Sequence, residues 1–200
     1  DFGGGFGVPT VQPLDAWDAR LGLNGHPTRP VEVDKAPRIE QYAESICALV
    51  RQYYPEASLP TLAFEPGRAV SSSAQSLLLQ VLAVKHGRDG ITRVILNGGK
   101  NYTLPMSYEY HELLPASRMD QPLAGNLNFY GPLCHPGDVL AIQKPFPQLA
   151  AGDVVAIMDA GAYFVPNQMN FSNPRPAAVR VEAGNAALIR RRESFDDMVR

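Results

Sequence analysis

The chain has 200 residues and a mass of 21.8 kDa, enough for one domain or for one and a half small ones. Hydrophobic residues make up 45% and charged residues 19%, a composition that excludes a disordered protein. The formal net charge of -2 argues against a nucleic-acid or membrane-surface partner, because such polyanions attract a basic face. We recognise no apolar run of about 18 residues and no signal peptide, and we therefore expect a cytoplasmic protein.

Cysteine, glycine and proline content narrows the class of protein further. The two cysteines, Cys47 and Cys134, are too few for a disulfide framework. Together with the adjacent His135, Cys134 offers only two ligands, which do not close a tetrahedral zinc site, so we expect no metal. The 17 glycines and 18 prolines are scattered along the chain and predict many short elements joined by tight turns.

The chain opens on a glycine cluster, Gly3-Gly4-Gly5-Phe6-Gly7. Such a loop allows backbone N–H groups to approach an anion closely, provided that a strand aims it. A flexible terminus is the alternative, although Phe2, Phe6 and Val8 are unusual in one. These residues alone leave both readings open.

One α/β unit is predicted next. Residues 11–34 read as irregular, and from Arg38 to Tyr53 apolar residues recur with helical spacing. The apolar run Thr61–Phe64 then predicts a buried strand that ends at Glu65-Pro66-Gly67-Arg68. A helix followed by a strand is one repeat of an α/β architecture.

The remainder reads as β-rich. Ser76–Val84 is compatible with a helix or a buried strand, and periodicity does not decide between them. Short apolar runs at 93–96, 139–142, 154–158 and 179–181 are separated by turn residues and predict strands. We place a domain boundary near residues 70–75.

Several side chains are candidates for chemistry. Glu65 and Arg68 flank a Pro-Gly turn at the end of the predicted strand, where α/β barrels place catalytic groups, although a helix cap with a surface arginine is an equal alternative. Cys134 lies in a Gly- and Pro-rich loop, but a lone cysteine more often packs as a small hydrophobe. Tyr163 follows a predicted strand, and His111 could equally be a surface histidine. None of the four lysines has an obvious apolar setting that would lower its pKa.

Taken in order, these motifs resemble the fold-type III, pyridoxal-phosphate-dependent amino-acid decarboxylases, the family of diaminopimelate, ornithine and arginine decarboxylases. The resemblance covers nearly the whole chain. The matching residues are Asp1–Gly7, Glu65–Arg68, Tyr108 with His111, Gly131–Cys134 with Asp138, Gly152-Asp153, Gly161–Tyr163, and Phe171 with Asn173.

The resemblance implies a fold and a domain division. Residues 1–70 would form the last part of an (α/β)8 barrel that binds the cofactor, and residues 71–200 would form the C-terminal β domain, a barrel or sandwich. It also implies that residues 75–86 are strand rather than helix. The lysine that binds the cofactor covalently would lie upstream of this segment.

The resemblance also implies roles at a pyridoxal 5'-phosphate site. The residues implied to bind the cofactor phosphate are Gly3, Gly4, Gly5, Arg68 and Tyr163. Glu65 would lie beside the pyridine nitrogen and keep it protonated. Cys134 would reach across a homodimer interface and return a proton to the substrate carbon after carbon dioxide departs. The active site would thus be shared between two subunits.

Two positions differ from the family pattern and bear on the substrate, a small-molecule amino acid. His135 stands where diamine-type members carry a carboxylate, and Leu104 replaces an arginine of diaminopimelate-type members. With His135 and Tyr108 as substrate-binding residues, we expect a modified or conjugated amino acid. The alternatives are a diaminopimelate decarboxylase of lysine biosynthesis and a non-catalytic regulatory homologue; an alanine racemase is opposed by Cys134 and Glu65.

Overall fold

Short strands dominate the computed structural model, which describes residues 1–18 and 36–199. The helices are α1 (Ile39–Tyr53), α2 (Gly67–Ser71) and α3 (Phe195–Val199). The strands are β1 (Gln12–Pro13), β2 (Leu77–His86), β3 (Thr92–Leu96), β4 (Glu109–Tyr110), β5 (Leu113–Leu114), β6 (Gly125–Tyr130), β7 (Val139–Phe146), β8 (Val154–Ile157), β9 (Ala178–Glu182) and β10 (Asn185–Arg190).

A six-stranded mixed sheet organises the part beyond residue 76. Its strand order is β5-β8-β2-β3-β6-β7, with β3 and β6 parallel and the other neighbours antiparallel. On β2, Leu79 and Val81 are buried while Leu78 and Leu82 are exposed, the alternation of a sheet with one covered face. The core beneath that face includes Val94, Leu96, Phe129, Phe146, Val155, Ile157 and Phe164.

The structure settles the ambiguous run at residues 76–84 as strand, because β2 covers Leu77–His86. The other predicted strands are confirmed within β3, β7, β8 and β9. The sequence reading missed β6 and β10, whose first residues, Gly125-Asn126 and Asn185, resemble turns. These two strands pair with β7 and β9, so their partners decide their conformation.

The predicted helix is confirmed as α1. It follows Arg38, whose backbone N–H donates to Oε1 of Gln41 at 2.8 Å, an interaction typical of a helix start. Tyr42 turns its ring edge towards Phe6, with ring centroids 5.3 Å apart, and so links the helix to the glycine cluster.

The buried strand predicted at Thr61–Phe64 is not present. The segment is irregular and mostly exposed, and Phe64 retains 40% of its accessible surface. It does run beside the N-terminus in the same direction: Phe2 N–H donates to Ala63 O at 2.9 Å, and Glu65 N–H donates to Gly3 O at 2.7 Å. An apolar segment forms a buried strand only where neighbouring segments cover it and hydrogen-bond to both of its edges. Among the described residues, the N-terminal segment is the neighbour that hydrogen-bonds alongside it.

The irregular stretch expected at residues 11–34 begins with the two-residue strand β1, and from residue 19 it lies outside the described residues. In the part of the chain that is described, no helix is both long and apolar enough to cross a bilayer. The same residues contain no group of three or more His, Cys, Asp or Glu side chains placed to hold a metal ion.

Candidate active site

A cavity of about 490 Å³ lies where the glycine cluster, the start of α2 and the residues following β8 meet. Its wall brings together five of the predicted cofactor residues, Gly4, Gly5, Glu65, Arg68 and Tyr163. Gly3 is the one predicted cofactor residue that is not in the wall. Residues separated by up to 159 positions in sequence therefore meet at one site, which the spacing of the motifs alone does not dictate.

Gly4 is a glycine because of a close backbone approach. A Cβ atom at this position would lie 2.4 Å from the carbonyl oxygen of Glu65, far inside van der Waals contact. Its neighbours Gly3 and Gly5 have φ values of +69° and +82°, a region that other residues rarely enter. The loop can thus lie against Glu65 without side chains of its own at these three positions, although the N–H of Gly3 donates to Oδ1 of Asp1 at 2.8 Å.

Tyr163 reaches the cavity because the chain after β8 packs against the end of α2. The N–H groups of Ala160 and Gly161 donate to the carbonyls of Gln75 and Ser72, both at 2.9 Å. A Cβ on Gly161 would lie 1.6 Å from Ser71 O, so only glycine permits this contact. Tyr163 itself has a φ of +66°, a strained conformation for a bulky residue and one often retained at functional sites.

Arg68 is held by two neighbours. Its Nη1 lies 3.1 Å from Oε2 of Glu109 and its Nη2 pairs with Oε1, so that the two side chains form a bidentate ion pair. Its guanidinium carbon lies 5.2 Å from the centroid of the Tyr163 ring, within cation–π range. Arg68 is therefore fixed at the cavity wall rather than free in solvent.

Glu109 and His111 complete this cluster; the sequence reading missed the first and left the second undecided. His111 is buried and not on the surface: its side chain is 0% exposed, and its Nε2 lies 3.3 Å from Oε2 of Glu109. Burial alone would raise the pKa of Glu109, but the hydrogen bonds from His111 and Arg68 hold it below its ordinary value. Glu109 and His111 are two positions apart, so in an extended segment their side chains point to the same face. The sequence does not indicate whether that face is buried.

Cys134 and His135 lie elsewhere, on an exposed turn between β6 and β7. The buried carboxylate of Asp138 holds this turn by accepting hydrogen bonds from the N–H groups of Lys100 at 2.7 Å and Leu133 at 2.8 Å. His135 Nδ1 accepts a hydrogen bond from the N–H of Gly137 at 3.0 Å. Cys134 is not among the residues lining the cavity that contains Glu65 and Arg68.

A second cavity, of about 300 Å³, borders the first. Glu109 belongs to both walls, and Lys100 and His135 line the second one. Burial lowers the pKa of Lys100 to about 8, against the attraction of Asp138, so the expectation that no lysine has a perturbed pKa is wrong. Residues distant from Lys100 in the sequence surround it, so its local sequence gives no sign of this environment.

Tyr108, predicted to bind substrate, lies at the end of a 3₁₀ turn formed by Leu104–Ser107 and is 45% exposed. Burial is the largest cause that raises its pKa, followed by the charge of Glu109. Tyr108 lines neither of the two cavities, so the structure does not bring it together with His135.

The first cavity suits pyridoxal phosphate by its donor chemistry. The glycine cluster allows an anion to approach backbone N–H groups, and the guanidinium of Arg68 adds charged donors beside them. Glu65 belongs to the same wall, and its carboxylate is a chemically suitable partner for a protonated ring nitrogen. An anion-binding end and a cation-binding group in one cavity are what a phosphorylated pyridine requires.

Known proteins resemble this chain along its length. The diaminopimelate decarboxylase of Methanothermobacter thermautotrophicus is 34% identical over 209 aligned residues, covering 100% of this chain and 43% of that protein. The diaminopimelate decarboxylase of Archaeoglobus fulgidus is 36% identical over 143 residues, 70% of this chain and 34% of that protein. A crystal structure of the M. jannaschii diaminopimelate decarboxylase with L-lysine superposes with a TM-score of 0.80 at 26% identity, covering 98% of this chain and 41% of that one. The chain thus spans less than half the length of these relatives.

These relatives contradict the expected modified or conjugated substrate, since they are diaminopimelate decarboxylases. That expectation rested on His135 and Leu104. Single positions are weak guides to a substrate because a counter-charge can come from another element of the fold, and Lys100 lines the same wall as His135.

A family model described as the pyridoxal-dependent decarboxylase C-terminal sheet domain matches residues 32–161. The mixed sheet built from β2, β3 and β5–β8 accords with that description. The dependence on pyridoxal that defines the family implies pyridoxal phosphate as the cofactor. The chain therefore belongs to the fold-type III pyridoxal-phosphate-dependent decarboxylases and carries their C-terminal sheet domain.

Proposed function

We propose that this chain is the C-terminal part of a diaminopimelate decarboxylase, which removes one carboxyl group of diaminopimelate as carbon dioxide and leaves lysine. The observation that carries the proposal is the 34% identity to a diaminopimelate decarboxylase along the entire chain. Clustering of the cofactor residues around one cavity supports an active enzyme over a regulatory homologue, which would have no need to keep them together.

In this proposal residues 1–70 complete a cofactor-binding (α/β)8 barrel, and residues 71–200 form the β domain. Neither Phe2–Gly3 nor Ala63–Glu65 is a regular strand by itself, but their parallel course supports neighbouring positions in such a barrel. The start of the six-stranded sheet at Leu77 supports the boundary. The lysine that binds the cofactor covalently is proposed to belong to the earlier part of the barrel.

Pyridoxal phosphate, when bound, supplies a ring that accepts the electron pair released as carbon dioxide leaves. Gly4 and Gly5 are proposed to donate backbone N–H groups to its phosphate, with Arg68 and Tyr163 completing that end. Gly3, whose N–H donates to Oδ1 of Asp1, is proposed to support the turn of this loop. Glu65 would hold a proton on the pyridine nitrogen. Neutralising phosphate at one end and protonating nitrogen at the other fixes the ring in one orientation.

Cys134 is proposed to deliver a proton to the carbon that has lost its carboxyl group, in the active site of a partner subunit. The exposed position of Cys134, outside the cavity that contains Glu65, supports such a role. A thiol is a suitable acid because it loses its proton near neutral pH. The proposal therefore includes a homodimer with shared sites.

The second cavity supports a substrate with a carboxylate at its far end. Lys100 lines this cavity beside His135, and its ammonium takes part in none of the ion pairs found among the described residues. A partly buried cation attracts the distal carboxylate of diaminopimelate, a group that lysine and ornithine lack. Lys100 is thus proposed to serve where Leu104 lacks a charge.

A decarboxylation panel with the full-length enzyme tests the proposal. Diaminopimelate, lysine, ornithine and arginine are each supplied with saturating pyridoxal phosphate, and carbon dioxide release is followed. We expect kcat/KM for diaminopimelate to exceed the others by at least about a hundredfold, because discrimination by buried charges is steep. Equal or faster turnover of ornithine, lysine or arginine would reject this substrate.

A further inference from the structure

We propose that Glu109 and His111 are positioning residues that hold the guanidinium of Arg68 towards the phosphate of the cofactor. The inference rests on the proposed contact between Arg68 and that phosphate, and it concerns residues to which no role has been assigned above. Three contacts carry it: a bidentate ion pair, a buried hydrogen bond behind it, and an aromatic ring beside it.

The ion pair restricts Arg68 in direction as well as in distance. Glu109 lies on β4, where it pairs with Pro13 of β1, and its two carboxylate oxygens meet Nη1 and Nη2 of Arg68. The side chains are 10% and 19% exposed respectively, so water competes little for either. A planar fork bonded at two points cannot rotate out of the plane of its carboxylate.

His111 prevents the carboxylate from turning away. Its Nδ1 lies 3.0 Å from the carbonyl oxygen of Met158, and its Nε2 lies 3.3 Å from Oε2 of Glu109. Phe164 meets the ring edge-on, with centroids 4.8 Å apart. Both ring nitrogens thus lie beside oxygen atoms, which fixes the ring between Glu109 and the residue that follows β8.

The ion pair leaves Arg68 with free donors for an anion in the adjacent cavity. The carboxylate of Glu109 accepts one hydrogen bond from Nη1 and one from Nη2. Each end nitrogen of the guanidinium keeps a second N–H that the carboxylate does not use.

A competing role for Glu109 predicts the opposite change in phosphate affinity when Glu109 is removed. If Glu109 merely competes with phosphate for the guanidinium, its removal frees Arg68 and strengthens phosphate binding. If Glu109 positions Arg68, its removal lets the side chain move away and weakens binding. The sign of the change in affinity separates the two roles.

The test compares pyridoxal phosphate with pyridoxal, which has the same aldehyde and ring but no phosphate. Dissociation constants are measured for the full-length apoenzyme by absorbance titration, for wild type, Glu109→Gln and Glu112→Gln. Glu112 is a matched control because its carboxylate pairs with Lys144 and lines neither cavity. We expect Glu109→Gln to weaken pyridoxal phosphate binding about tenfold and to change pyridoxal binding less than twofold, while Glu112→Gln changes neither.

The Arg68→Lys background tests whether the effect passes through Arg68. A lysine cannot form the bidentate pair, so adding Glu109→Gln to Arg68→Lys should change the affinity for pyridoxal phosphate less than twofold. Tighter binding by Glu109→Gln, equal losses for both ligands, or full additivity with Arg68→Lys would overturn the proposal. Neither ligand is an amino acid, so the result does not depend on which substrate is decarboxylated.

Discussion

Lys100 illustrates how a partly buried charge affects stability. Its folded pKa of about 8 lies below the value near 10.4 of an exposed lysine, so the unfolded chain binds more protons between these two pH values. Stability therefore rises with pH across that interval, and below pH 8 the ammonium carries its full cost. The substrate role proposed for Lys100 would offset that cost with a function.

Replacing Lys100 with methionine should stabilise the fold and impair substrate binding. We expect the free energy of unfolding at pH 7 to rise by about 1–3 kcal/mol, with the gain disappearing above about pH 10.5. KM for diaminopimelate should rise about tenfold because the distal carboxylate loses its counter-charge. Denaturant titrations at pH 7 and 10.5 and steady-state kinetics measure both effects. Lys85→Met, at an exposed position of β2, is the control; an unchanged KM in Lys100→Met would remove Lys100 from the substrate site.

Among the secondary-structure elements, the turn between β6 and β7 is stabilised by the carboxylate of Asp138. Asp138 is 4% exposed and bonds the N–H of Leu133 within the turn and the N–H of Lys100 after β3. Gly131 N–H also donates to Asp138 O at 3.0 Å, closing the base of the turn. The position of Cys134 thus depends on contacts that involve no side chain of its own.

Asp138→Asn should loosen this turn while leaving the sheet folded. An amide keeps one acceptor and turns a donor towards the other N–H group, which we expect to cost about 2 kcal/mol. Hydrogen exchange at the amides of Leu133 and Lys100 should accelerate at least about tenfold. Asp153→Asn is the matched control, since Asp153 accepts from Ala150 N–H at 2.7 Å on another turn. Unchanged protection at both amides in Asp138→Asn would show that Asp138 does not hold the turn.

In the molecule as a whole, the proposed cofactor-binding residues and the proposed proton donor do not line the same cavity. Glu65 and Arg68 line one cavity, and Cys134 is exposed on a turn that does not contribute to it. If Cys134 supplies the proton, it acts on a site in another subunit. Two-fold symmetry would then give each dimer two composite sites, each with residues from both chains.

Subunit mixing tests this assembly in the full-length enzyme. Cys134→Ala and a variant lacking the cofactor-binding lysine are each expected to be nearly inactive. After exchange at equal concentrations, half of the dimers are mixed and one of their two sites is intact, so about a quarter of wild-type activity should return. Subunit exchange is verified by differently tagged chains. Exchange without recovered activity would mean that each subunit carries a complete site.

Local signals in the sequence were enough to predict the elements with strong periodicity and to identify the motifs that carry the family resemblance. The spacing of apolar residues predicted α1, and turn residues separated most of the strands, because these signals act within a few residues. The sequence did not decide the conformation of Ser76–Val84, and it wrongly made Thr61–Phe64 a buried strand. The conformation of each of these two segments depends on which other segments pack beside it, and local composition does not indicate those neighbours.

Which side chains share a site became apparent from the folded structure and not from the sequence. Burial of Lys100, and of His111 behind Glu109, depends on covering by residues distant in sequence. For the same reason His135 and Leu104 misled the choice of substrate, since a missing charge at one position can be met from another element. The strength of charge interactions at a site depends on distances in space and on the exclusion of water, and the amino-acid sequence gives neither directly.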